Sequence, residues 1–386
     1  MKSFFASALI IFSALGGAAA AAQSDVETRL QAAIEGFAAE RIEDRQAPGL
    51  AIGVARGGEV LFIGGYGEAD IEGAAPVTDE TVFRIGSVTK QFTAAALLLL
   101  EEEGRLSLDD PLSAFFPDFP RADAVTVRQL LNHTSGIRNY TALDDFGPRA
   151  SALDHDGETM VAYIAAADPL YDFDPGTGWR YSNSGYMLLG LIVEQVTGEP
   201  LGEHLQERLF DPLGMNDTRM DDGREIVPGR ARGYDADEEA PTGFVNTAHI
   251  SPSVAAGAGA MRSTPADLLV WTDALLGGRV LSAESLDAML APGTLSDGRM
   301  ASSVRTAPEG GGPVSDYGLG IMTGERDGRR TIGHGGSING FNASLIHYPD
   351  EQVTITLLVN TVGPASTGAP VLADAVFDAL DASAPQ

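Results

Sequence analysis

The chain has 386 residues and no cysteine, with 25 basic side chains against 54 acidic ones and a formal net charge of −29. That excess of acid repels nucleic acid and anionic lipid, and the lack of cysteine excludes disulfides, thiolate metal sites and a lipid-modified cysteine. A chain of this length exceeds one simple core, so one large domain with two subdomains is expected.

The first residues, "MKSFFASALIIFSALGGAAAAAQSD", place one lysine before an apolar run from Phe4 to Leu15, then small residues up to Ala22. Residues 1–22 are therefore read as a secretory signal peptide cleaved after Ala22, which implies a periplasmic or secreted protein with no membrane anchor. No later segment holds the roughly 18 unbroken apolar residues of a membrane span. Residues 25–45 show apolar positions at helical spacing, and "LAIGVAR" and "EVLFIGGYGEAD" follow as two β-rich runs joined across Gly57-Gly58, the pattern of a hairpin. "GGYGEAD" has the glycines of a phosphate loop but neither the following helix nor the lysine, so it reads as a strand bend.

From Ser87 to about Leu290 the pattern is mostly helical. An apolar helix runs from Ser87 to Leu100 and stops at Gly104, and Thr264-Pro265-Ala266-Asp267 spells a helix start with an N-cap, a first-turn proline and an acid. The chain then turns β again in "YGLGIMTG", "RRTIGHGG", "FNASLIHYP" and "VTITLLVN", with a Gly-rich loop near 307–313, and ends in the amphipathic "PVLADAVFDALDA". Strands at both ends with helices between predict an α+β fold, an α/β/α sandwich. One antiparallel sheet is assembled from both termini, and a helical subdomain is inserted between them. The domain is placed at 30–382, its α/β part at about 25–80 and 315–382 and its helical part at about 81–290. The site is expected in the cleft between the two parts.

Lys90 and Lys2 are the only lysines beside 23 arginines. Arginine cannot shed its proton, whereas a desolvated lysine can be neutral near pH 7 and accept one. Lys90 stands three residues after Ser87, one helical turn along and on the same face. The helix start offers free N–H groups and a positive dipole, suited to a serine that must become an alkoxide. A Ser-x-x-Lys match taken alone fits a capping serine and a surface lysine equally well. Two further stretches add to it: "PGTGWRYSNSGYMLLG" at 175–190, with Tyr181 and Asn183, and "TIGHGGSING" at 331–340, with His334, Gly335 and Gly336.

In these three motifs, in their order, the chain resembles the β-lactamase-related serine hydrolases, the family of class C β-lactamases, D-alanyl-D-alanine carboxypeptidases, D-aminopeptidases and related esterases. The resemblance spans roughly residues 30–380 and includes "VRQLLNHTSGI" at 127–137, "DPLGMNDT" at 211–218 and "YGLGI" at 317–321. It implies Ser87 as nucleophile, Lys90 and Tyr181 sharing its proton, and Asn183, His334, Gly335 and Gly336 as substrate-binding residues. It also implies backbone N–H groups of Ser87 and Ser337 as the oxyanion hole. Tyrosine serves as a base only where a nearby cation, here Lys90, stabilises the phenolate. The third motif departs from the Lys-Thr-Gly of β-lactamases. A histidine partly charged near neutrality and a glycine without a hydroxyl predict weaker carboxylate recognition that fades between pH 6 and 8.

His133 is read as a hydrogen-bonded histidine positioning a turn, and Glu101-Glu102-Glu103 as a solvated helix end. With no HExxH and no cysteine pair, no metal and no cofactor are called for. The expected protein is a secreted serine acyl-hydrolase of small amides or esters, D-amino-acid peptides among them. The alternatives are a carboxylesterase or a class C-like β-lactamase on the same site, and a non-catalytic protein that binds penicillin or cell-wall fragments. The expected partner is a small molecule or short peptide, and the sequence leaves the oligomeric state open.

Overall fold

In the computed structural model, residues 17–304, 315–363 and 368–382 are described. Most of the expected leader and the Gly-rich stretch at 307–313 lie outside them. Helix α1, Gly17–Glu43, begins eight residues upstream of the helical pattern read at 25–45.

The central sheet has eight strands. Its N-terminal members are β1 (Gly49–Arg56), β2 (Glu59–Asp70) and β3 (Ala75–Pro76). The C-terminal ones are β4 (Asp316–Tyr317), β5 (Met322–Arg326), β6 (Arg329–Ile338), β7 (Phe341–Tyr348) and β8 (Val353–Val359). The order is β3-β2-β1-β8-β7-β6-β5-β4, so the two chain ends meet where β1 pairs antiparallel with β8, Ile52 opposite Leu357. Gly57 and Gly58 both take positive φ, 58° and 81°, the conformation a two-residue hairpin requires. The bend expected in "GGYGEAD" falls at Gly67, where φ is +74° and a Cβ would lie 2.2 Å from the Pro48 carbonyl oxygen.

Alternation along the strands gives the sheet two buried faces. Ile52, Val54, Ile355 and Leu357 face α1 and the C-terminal helix Ala369–Asp381, whose Val376 and Phe377 meet Leu30 and Ile34. Ala51, Leu345 and Leu358 belong to the larger core on the opposite face, shared with α2 (Thr89–Glu102) and its Phe92 and Leu97. Each of the Val, Leu, Ile and Phe side chains among these, taken from water to a dry interior, contributes about 1.5–3 kcal/mol. The helix Pro265–Leu276 lies close on the sheet because position 53 is glycine, where a Cβ would sit 2.8 Å from Thr356 and 3.1 Å from Pro265. At its start Thr264 accepts from the Asp267 N–H, as the sequence spelled out.

The stretch between β3 and β4 is largely helical but also holds strands of two three-stranded sheets, one of them completed by Thr361–Val362 after β8. Their strands are two or three residues long, too short for alternation to show in sequence. In one, Phe83–Arg84 and Arg219–Met220 flank Met261–Ser263. Beside it the buried Asp221 carboxylate takes Arg84 at 2.7 Å, Arg230 at 2.6 Å and Arg262 at 3.2 Å. That cluster fixes the backbone three residues before Ser87.

Candidate active site

The chain leaves the Phe83–Arg84 strand, makes a single 3₁₀ turn at Gly86–Val88, and enters α2 at Thr89. Ser87 lies on that turn, half-buried, and its hydroxyl caps nothing. Two glycines set its position. Gly86 has φ +49° and a Cβ there would meet the Ser337 nitrogen at 2.8 Å. A Cβ on Gly336 would lie 1.9 Å from the Ile85 carbonyl oxygen and 3.0 Å from the Ser87 nitrogen. The nucleophile turn and β6 therefore touch backbone to backbone, which brings Ser87 and Ser337 to one wall of a cavity of about 400 Å³. Gly335 is exposed, and a Cβ there would make only ordinary contact, 3.7 Å from Ala343. Gly336→Ala is thus expected to destabilise the fold by at least ~1–3 kcal/mol and to remove activity, whereas Gly335→Ala melts like the wild type. Thermal unfolding of both variants checks this, and equal melting temperatures would refute the backbone contact.

Lys90 is wholly buried. Its Nζ lies 2.8 Å from Asn183 Oδ1, 2.6 Å from the Ala258 carbonyl oxygen and 3.2 Å from Ser87 Oγ. Burial lowers its pKa well below the usual lysine value. A neutral amine has two hydrogens and one lone pair. The amide and peptide oxygens can only accept, so they take the two hydrogens and the lone pair is left for the Ser87 hydroxyl. Asn183 opens the helix Asn183–Thr197 and is itself fixed, its backbone N–H donating to Asn139 Oδ1 and its Nδ2 to Thr141 Oγ1.

Tyr181 presents its ring to Lys90, 4.7 Å from Nζ to the centroid. Burial raises its pKa above the ordinary tyrosine value, the neighbouring Ser87 hydroxyl opposing more weakly. The phenol is therefore neutral, contrary to the phenolate that the sequence allowed. Its shielded hydroxyl completes no hydrogen bond of good geometry among the described residues. His133 adopts φ +64° and its Nδ1 accepts from the Ser182 N–H at 3.3 Å, while the Arg180 N–H donates to the His133 carbonyl. It holds the turn that carries Tyr181, in agreement with the structural role read from sequence.

His334 departs from expectation. It is 5 % exposed, with Nδ1 2.5 Å from the Gly335 carbonyl oxygen and Nε2 3.0 Å from the Tyr317 hydroxyl. A carbonyl can only accept, so Nδ1 carries the hydrogen and Tyr317 donates to Nε2. Burial, then the nearby Lys90, lowers the His334 pKa from 6.5 to about 3. The ring is uncharged throughout the range in which it was expected to titrate. Because the folded value lies below the unfolded one, the unfolded chain binds the extra proton between about pH 6.5 and 3, and stability falls as pH drops through that window. His334→Gln is expected to flatten that acid limb, measured by denaturant midpoints from pH 7 to 4. An unchanged slope would contradict a neutral buried His334.

Sequence reasoning missed the Ala258 carbonyl. It points at Lys90 because Ala256, inside the helix Pro252–Gly259, has φ +37° and ψ −132°, a strained conformation for a residue with a side chain. The small-residue run "AAGAGA" at 255–260 was the available signal, since Gly257 lets this segment approach Tyr186 closely. The Glu101-Glu102-Glu103 run is the solvated helix end read from sequence, Glu102 and Glu103 being exposed, and its carboxylates also make surface contacts. Glu101 accepts from the Leu108 N–H, Glu102 from the Ser282 N–H, and Glu103 pairs with Arg208. No cluster of potential metal ligands occurs among the described residues.

A serine on a helix-start turn, a buried lysine against its hydroxyl and a tyrosine beside both define the serine–lysine class of acyl-transfer sites. The chain belongs to the Beta-lactamase family, whose profile matches residues 30–378. It is 30 % identical over 345 residues to the D-aminopeptidase of Brucella anthropi, covering 86 % of this chain and 60 % of that protein. It spans 60–66 % of the length of the first curated relatives it matches. Among solved structures it is similar to the D-amino acid amidase from Ochrobactrum anthropi SV3 complexed with D-phenylalanine, at TM-score 0.78 and 29 % identity over 92 % of this chain and 99 % of that one. It is also similar to a D-stereospecific amidohydrolase from a Streptomyces species, at TM-score 0.73 and 30 % identity over 93 % and 98 %.

Proposed function

We propose that this protein is an exported serine acyl-hydrolase that cleaves small amides or esters through an acyl-enzyme on Ser87, amides of D-amino acids being the first class to assay. The observation that carries the reading is the Lys90 amine, buried without a counter-charge, whose only free lone pair faces the Ser87 hydroxyl. The names of the amidase and aminopeptidase relatives support the D-amino-acid class. The leader read at residues 1–22 supports export.

Lys90 takes the Ser87 proton as Oγ bonds to the acyl carbon. Negative charge develops on the carbonyl oxygen, which the backbone N–H groups of Ser87 and Ser337 receive. The neutral Tyr181 phenol gives its proton to the departing amine or alcohol and regains one from the lysine ammonium, so no charge stays buried. Water then enters and bonds to the acyl carbon as it loses a proton to Lys90; the carbon–Oγ bond breaks, Ser87 Oγ takes that proton back from the lysine ammonium, and the acid is released. Asn183 orients both the amine and the substrate amide. His334 and Tyr317 hold the strand beneath the oxyanion, a positioning role in place of carboxylate recognition. The test is intact-mass detection of one adduct per chain after treatment with a fluorophosphonate, mapped by peptide sequencing. Labelling elsewhere than Ser87, or none, overturns the reading.

A further inference from the structure

The cavity beside Ser87 has walls that, among the described residues, carry no charged side chain. Phe146, Pro148, Ile250, Ala255 and Ile338 supply an apolar surface. Three of its polar side chains donate into the protein: Tyr140 to the Val254 carbonyl at 2.6 Å, Ser151 to Pro148 at 3.2 Å, and Asn339 to Ala248 at 2.9 Å. Two carboxylates on surrounding loops, Asp145 and Asp154, are exposed and already engaged, with Tyr163 and Ser251. Lys90 beside Ser87 and the buried His334 are both pushed toward their neutral forms by burial, and the fixed cation Arg84, which donates to the Ile250 carbonyl, is paired with the Asp221 carboxylate.

We infer that the acyl subsite selects uncharged acyl donors: simple carboxylic esters and N-blocked amino acid derivatives, in preference to donors bearing a free ammonium or a carboxylate. This rests on the Ser87 acyl-enzyme reading and narrows its substrate class: within the D-amino-acid series it favours N-blocked amides over unblocked ones, whose α-amino group is mostly ammonium at pH 7. A charged group entering the cavity loses its water and finds no opposite charge, while a neutral acyl chain gains from the apolar wall. At about 400 Å³ the space is near the lower end of small-molecule pockets, which run from roughly 300 to 1,000 Å³, and suits one modest acyl group. The formal charge of −29 opposes carboxylate-bearing donors before they arrive.

Three fluorophosphonates with phosphorus-linked chains of equal length, ending in methyl, ammonium or carboxylate, separate the possibilities without requiring turnover. Second-order labelling constants at pH 7, each divided by the probe's own hydrolysis rate, are the readout. The neutral probe is expected to label Ser87 about 30-fold faster than either charged one, the size of a ~2 kcal/mol desolvation penalty. Ile338→Asp, which adds a carboxylate to the wall, is expected to raise the ammonium probe's rate at least about tenfold relative to the neutral probe. Equal rates, or a charged probe ahead in the wild type with the label on Ser87, overturn the inference and leave the serine mechanism standing. Failure of all three probes to label removes the Ser87 reading and this inference with it.

Discussion

Ser87→Ala is expected to abolish hydrolysis of every ester and amide that the wild type accepts, with a fall in kcat on the order of 10⁶-fold, while the protein stays folded. The hydroxyl is the only group positioned to form the covalent intermediate, and no second serine or threonine contacts Lys90 Nζ among the described residues. Folding depends on it little. Its one described hydrogen bond is the 3.2 Å contact to Lys90, and such a bond is worth about 0.5–1.5 kcal/mol. Lys90 keeps both carbonyl acceptors in the variant. The measurement pairs kcat/KM on a p-nitrophenyl ester with the fluorophosphonate mass shift and a thermal melt. Full activity in a variant free of wild-type contamination would end the assignment. A variant that fails to melt cooperatively would mean that Ser87 supports the turn as well.

The parts of this architecture that recur along the sequence were legible in it. Period-two strands such as Leu50–Val54 and Val353–Val359, the Gly57-Gly58 turn and the Thr264 cap all announced themselves through local chemistry. The three motifs likewise named Ser87, Lys90, Tyr181 and Asn183, which the fold gathers around one amine. Charge states were not legible, because they depend on burial by residues far away in sequence. His334 looked like a group that titrates near neutrality. Tyr317 from β4 and the Gly335 carbonyl from its own strand occupy both ring nitrogens, and the surrounding rings of Tyr181 and Tyr317 exclude water. The Ala258 acceptor was hidden for a related reason: a backbone oxygen has no residue type to announce it, and its direction is set by one unusual φ at Ala256.

Lys90→Arg is expected to lose as much activity as Lys90→Met, on the order of 10³-fold or more, a barrier increase of at least ~4 kcal/mol. The methionine variant keeps the stem and removes the base without adding charge, so it should fold at least as well as the wild type. The arginine variant faces two penalties. Its guanidinium cannot give up a proton to act as base, and it must bury a permanent charge among Ser87, Asn183 and the Ala258 carbonyl, none of which is anionic. It should therefore be both inactive and less stable than the methionine variant, an ordering that a merely electrostatic lysine would reverse. The pH profile gives an independent reading with a definite sign. Acylation needs the neutral amine, so kcat/KM rises with pH through the lysine pKa, which burial has moved well below the usual value. An ordinary lysine would be under ~1 % neutral at pH 8, because its pKa is near 10.4. The wild type should instead be on its plateau there, losing activity only at lower pH as the amine takes its proton. Retention of more than about a tenth of the wild-type rate by Lys90→Arg, a change under ~1.4 kcal/mol, would show that Lys90 acts by charge and not by accepting the Ser87 proton.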